Sequence, residues 1–208
     1  LKSKNTITRM KQFYYTDSEV GPDPENSHPR FNEVMKEAFY LDCTDEFSPF
    51  GNDDGADTLS ALEDWYQETE GEADIIEFMI DFIDGFGFKY ACEDCVELLD
   101  MDQINFFLQE DQFFIDAMDK AVIATAFGQL KIEGEIASSL KKLAFIALER
   151  QKLITLQRLA NNEVDLSKIF KIVNGKSTRE NEEGNTNHLQ NIYLDRLEMM
   201  KTDLKKVK

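Results

Sequence analysis

Three groups of residues could do chemistry. Asn52-Asp53-Asp54-Gly55-Ala56-Asp57 sets three carboxylates close together on the chain, and carboxylate oxygen is the donor that hard cations prefer. The spacing does not fit a calcium loop. With Gly55 at the sixth, turn-forming position the first ligand would be Phe50, whose side chain has no oxygen. The same residues suit a turn and a helix start, with Asp53 or Asp54 as the cap. A metal-dependent protein or enzyme using Asp53, Asp54 and Asp57 stands as the alternative reading of this cluster.

Cys92-Glu93-Asp94-Cys95 is a single C-x-x-C. A zinc site wants four ligands, and only Cys43, His28 and His188 could complete one, all from distant positions. A thiol-redox role needs a lowered thiolate pKa, and Glu93, Asp94 and Glu97 work against it. A spacing of three puts both thiols on one helical face, which suits core packing. His28 and His188 are the only imidazoles. His28 precedes Pro29, where capping a helix is role enough, and neither His has a partner nearby in sequence. No phosphate loop, nucleophile elbow or H-E-x-x-H is present. The sequence therefore names no catalytic residue, no metal ligand set and no cofactor.

The elements that must position these residues are helical. Gly21 to Ser27 is a breaker cluster ending a leading arm, residues 1–27. Phe31, Val34, Met35, Ala38 and Phe39 recur at helical spacing after Pro29. A loop follows from Asp42 to Asp54. Ala56, Leu59, Leu62, Trp65 and Tyr66 then mark one side of a helix with acids on the other, stopped at Gly71. Ala73–Phe82 predicts the next helix, with Ile75, Ile76, Met79, Ile80 and Ile83 inward. A short helix or turn is expected at Cys92–Leu99 and another at Asp102–Phe107. A largely buried helix begins near Asp111 and breaks at Glu133-Gly134. The longest helix is expected over Glu135–Ala160, a short one over Val164–Val173, and a mobile loop over Asn174–Asn187. A basic-ended amphipathic helix over His188–Val207 closes the chain. The expectation is a mainly α fold. A single multi-helix acidic domain over 28–173 carries a loop and C-terminal helix over 174–208, packed on it or extending it.

Charge sharpens the partner class. Residues 37–116 hold 24 Asp and Glu and one base, Lys89, within a chain of net charge −18. Residues 1–118 carry a net −22, against +4 for residues 119–208. Such a field attracts cationic partners and repels nucleic acid and anionic membrane. No apolar run approaches the roughly 18–20 residues that span a bilayer. Leu1–Met10 has no apolar signal-type core, and three thiols lean towards a reducing, cytoplasmic setting.

His28-Pro29, Ala38-Phe39-Tyr40, Phe47-Ser48-Pro49-Phe50-Gly51-Asn52-Asp53-Asp54-Gly55-Ala56-Asp57 and Asp64-Trp65 together resemble the uncharacterised bacterial YfeS-like proteins. Ala124-Thr125-Ala126-Phe127-Gly128-Gln129, Glu133-Gly134 and Ala147-Leu148-Glu149-Arg150-Gln151 look similar too, so the likeness covers about residues 28–151. A fainter likeness links the Gly-Asn-Asp segment to small helical proteins of the immunity type. The resemblance implies a helical fold and brings no catalytic residue with it. The expected function is a non-enzymatic acidic module that binds a basic protein, as a bacterial immunity protein occluding a toxin. Asp53, Asp54, Asp57, Glu63, Asp64 and Glu68 would meet the partner's Lys and Arg, with Trp65 or Tyr66 as an apolar anchor. An acidic mimic of nucleic acid that blocks a DNA-binding protein is a further alternative.

Overall fold

A helix with large apolar side chains on every side has no wholly polar face to give to water, so it must lie at the centre of its domain. Phe114–Glu133 is such a helix: Phe114, Met118, Val122, Phe127 and Leu130 point to different sides and all are fully buried. The computed structural model that shows this describes residues 11–160 and 182–208, with the backbone only for 182–187. Its helices in chain order are α1 (Pro29–Val34), α2 (Asp53–Thr69), α3 (Ile75–Asp84) and α4 (Cys92–Cys95), then α5 (Met101–Glu110), α6 (Phe114–Glu133), α7 (Ser138–Ala160) and α8 (Glu182–Leu204). Two 3₁₀ turns, Pro24–Asn26 and Ala38–Leu41, join them. Among the described residues there is no strand, only an isolated bridge between Asp17 and Gly21.

The protein is a single mainly α domain built around α6. Helix α2 packs along one side of α6 and α7 along another, while α1, α3 and α5 fill the remaining sides. Helix α8 lies on the outer side of α7 and adds Leu197, Met200 and Leu204 to the core. No helix of the described residues is long and apolar enough to cross a membrane.

Several boundaries differ from the sequence reading, each for a local reason. The pattern from Phe31 to Phe39 is broken after Val34: Met35 leaves helical geometry and Phe39 reaches the core from the second 3₁₀ turn. Asn52, not Asp53 or Asp54, caps α2, its side-chain oxygen accepting the Gly55 N–H at 2.9 Å. An amide does this better here because its NH₂ also donates to Ser48 O at 3.1 Å, which a carboxylate cannot do. On α3, Ile75, Met79 and Ile83 are buried while Ile76 and Ile80 are only partly so. Helix α4 stops at Cys95, and α8 begins at Glu182, inside the stretch expected to be a loop. The expected helix over 164–173 and the loop residues 174–181 lie outside the described residues.

The arm's described residues are not a separate unit. Tyr14 N–H and His28 N–H donate to the last carbonyls of α6, on Ile132 and Lys131, at 3.0 and 2.8 Å. These close two of the acceptors that a helix end leaves open. Phe13 packs on Tyr66 of α2, their ring centres 5.2 Å apart.

Candidate functional site

The segment Ser48–Gly55 builds the start of α2. Ser48 Oγ accepts the Phe50 N–H at 3.2 Å, and Phe50 is buried in the core. Gly51 lies so close to the preceding loop that a Cβ there would sit 2.1 Å from Asp45 O. At Gly55 a Cβ would sit 2.2 Å from Pro49 O. The Ser-Pro-Phe-Gly-Asn-Asp-Asp-Gly run is therefore explained by backbone packing, a buried anchor and a cap.

The acids that follow divide by helical angle. At 100° per residue, Asp53, Asp57, Asp64 and Glu68 fall within an arc of about 60° on α2. All are exposed, and none has an ion-pair partner among the described residues. The other two acids proposed for this face are not on it. Asp54 turns towards α6, where Lys120 Nζ lies 3.5 Å from its Oδ2; burial pushes its carboxyl pKa up and Lys120 pulls it back. Glu63 is 9% exposed and spent inside the fold. Its Oε1 accepts from Lys131 Nζ at 3.1 Å and from the Thr16 N–H and hydroxyl at 2.9 and 2.6 Å. Glu63 therefore braces the arm against α2 and α6 and is unavailable to a partner.

Trp65 is half-buried and turns its ring to Phe78 of α3, 5.3 Å away, with Phe82 next in line at 6.0 Å from Phe78. These three rings floor a shallow cavity of about 370 Å³, with Asp74, Glu77 and Asp81 around it. An apolar floor under carboxylates suits the aliphatic stem and charged head of Lys or Arg. Sequence reasoning missed the α3 half of this surface. Its signal was present: Asp74, Glu77 and Asp81 recur at helical spacing on the side of α3 opposite Ile75, Met79 and Ile83.

The other candidates take structural places. Asp53, Asp54 and Asp57 do not converge, and among the described residues no three His, Cys, Asp or Glu side chains gather to hold a metal ion. Cys92 and Cys95 are buried thiols. Burial and nearby acids push Cys92 up to about 12 and Cys95 up to about 11, the wrong direction for a thiolate nucleophile. His28 caps α1, its Nδ1 accepting the Arg30 N–H at 3.1 Å. Burial and Arg30 lower its pKa, and its ring lies against Gly134, where a Cβ would come within 2.2 Å. His188 is exposed on α8.

Compared with known proteins, the chain is 35% identical over 153 residues to the uncharacterized protein YfeS of Escherichia coli (strain K12). The match covers 69% of this chain and 58% of that protein, so less than two thirds of the relative's length is represented. No family model matches the chain. No solved structure matches it either.

Proposed function

We propose, from the premise that this chain belongs to the YfeS-like family, that it is a non-enzymatic module that binds a basic protein. The observation that carries the reading is the exposed arc of Asp53, Asp57, Asp64 and Glu68, uncompensated among the described residues, beside the aromatic floor of Trp65, Phe78 and Phe82. The carboxylates would steer a cationic surface and raise the association rate. The rings would retain a Lys or Arg side chain and slow release. In its finer form the proposal is a bacterial immunity protein that acts in the cytoplasm by covering a basic toxin's active site.

The test compares native-cell pull-downs with the wild-type chain and with Asp57→Lys/Asp64→Lys/Glu68→Lys. A basic protein should be retained by the wild type, lost by the variant, and released by raised salt. Co-expression of the retained protein should arrest growth unless the wild-type chain is present. Retention of no such protein, or equal retention by the variant, overturns the binding face. Retention of a harmless protein overturns the immunity reading alone.

A further inference from the structure

The aromatic floor between α2 and α3 repeats one unit. Glu77-Phe78 and Asp81-Phe82 each set a carboxylate beside a ring, four residues apart on α3. Four residues advance a helix by about 6 Å, and the two ring centres lie 6.0 Å apart with their planes 19° from parallel. Trp65 continues the floor from α2, tilted by 41° to Phe78. Asp74, the third acid at the rim, spends its Oδ1 on the Ile76 N–H at 2.9 Å. Glu77 and Asp81 are exposed and have no ion-pair partner among the described residues. Nor does any cation of the described residues lie over these three rings.

The shape of the floor sorts the cations that could cover it. Rings that wrap a rounded ammonium stand across one another, whereas these are far from perpendicular and form a shallow surface. A flat guanidinium can lie on such a surface and still aim its in-plane N–H groups at carboxylates along the edge; an ammonium meets it at a point. The chain already holds one arginine in this way. The Arg196 guanidinium carbon lies 4.3 Å from the centre of the Phe39 ring, and its Nη2 is 3.3 Å from Asp45 Oδ2. The lysines that meet rings, Lys11 on Phe13 and Lys89 on Tyr90, stand farther off, at 5.8 and 5.0 Å. An apolar partner would strip water from Glu77 and Asp81 without pairing them. A second copy of this chain, also at net −18, would meet like charge.

We infer that the α2–α3 surface is an arginine-recognition site: a segment of a basic partner lays guanidinium groups on Trp65, Phe78 and Phe82 and pairs their edges with Glu77 and Asp81. The inference rests on the protein-binding role proposed above and names the side chain that the partner brings to it. The acids on α2 steer, and the two units on α3 select.

Trp65 is the chain's single tryptophan, so its emission reports on this surface. The full chain is titrated with acetyl-Arg-Ala-Arg-amide and with acetyl-Lys-Ala-Lys-amide. Both probes carry the same charge, so the general acidic field acts on them equally. The arginine probe should change the emission saturably and bind about fivefold more tightly than the lysine probe. Glu77→Gln/Asp81→Asn alters only exposed side chains, so it should fold as the wild type does, weaken the arginine probe several-fold and narrow its advantage. Phe78→Ala should remove the advantage; if that variant fails to fold, Glu77→Gln/Asp81→Asn decides. No saturable change, equal affinity of the two probes, or an arginine preference that Glu77→Gln/Asp81→Asn leaves intact overturns the inference. The pull-down with Asp57→Lys/Asp64→Lys/Glu68→Lys leaves the α3 units unchanged and is read separately. A basic protein lost by that variant keeps the binding role even where arginine is not preferred.

Discussion

Glu63 and Asp64 are adjacent acids on one helix, and the fold puts them to opposite uses. Glu63 faces the interior and is held by Lys131 and Thr16. Asp64 faces water in the exposed arc. The same division runs through the whole molecule. Its interior holds a second ion pair, in which Arg150 and Asp119 are both fully buried, with Arg150 Nε 3.0 Å from Asp119 Oδ1. The Arg150 guanidinium also donates to Cys95 O at 3.0 Å and Leu98 O at 2.5 Å, tying the end of α4 to α7. Burial pushes the Asp119 carboxyl up, while Arg150 and Gln151 push it back. The density of acid in this chain is therefore not one property. Some carboxylates are structural and matched by a specific cation from the basic half of the chain; others are left to solvent or a partner.

Removing Arg150 gives the largest way to break that division. Arg150→Ala should cost about 3–5 kcal/mol in urea unfolding, because Asp119 is left as an unpaired buried charge. Arg150→Met/Asp119→Leu should recover most of the loss; if it does not, the pair is doing more than cancelling its own burial cost. Glu63→Ala should cost about 3 kcal/mol by the same measurement, since Lys131 and the Thr16 N–H lose their acceptor. Asp64→Ala, one residue on, should stay within about 0.5 kcal/mol of wild type. Equal effects at the two positions would end the comparison.

Asn52→Ala tests the loop that separates the two classes and should cost about 1–2 kcal/mol, for one helix cap. Alkaline pH gives a smaller effect. The folded-state pKa values of Cys92 and Cys95 are raised above the ordinary 9.0, so their contribution is complete below pH 9 and is lost as pH rises through about 11 and 12. At about pH 9.5 the loss should be under about 1 kcal/mol per thiol, seen as a falling urea midpoint that Cys92→Ala/Cys95→Ala flattens. In the native state Cys43 alone should react rapidly with a thiol reagent, because it is exposed and the other two are not. The smallest stability effect is expected from Asp57→Asn/Asp64→Asn/Glu68→Gln, which should be neutral or slightly stabilising as like charges are removed.

Much of the architecture was legible because apolar spacing is a local signal. The buried run of α6, the break at Gly134 and the long helix α7 all follow from residues three and four apart. The exposed arc on α2 was legible for the same reason. Glu63 was not, because its role depends on Lys131 and Thr16, 68 and 47 residues away. The α4–α7 tie hid in the same way, since Arg150 looks like any surface base until Cys95 and Asp119 are brought to it. The cap at Asn52 was missed by one residue because Asp and Asn are near-equal caps, and only the Ser48 carbonyl favours the amide.

The sequence by itself determined that the chain is mainly helical, that α6 is largely buried, and that the excess of acid lies before residue 119. Periodicity and net charge are properties of the chain that need no long-range contact to be read. Tertiary structure alone decided which acids are spent and which are available, and that Trp65, Phe78 and Phe82 share one floor. Each of these depends on residues far apart in sequence meeting in a packed interior, where a charge without its counterion or an acceptor without its donor carries a cost it does not carry in water.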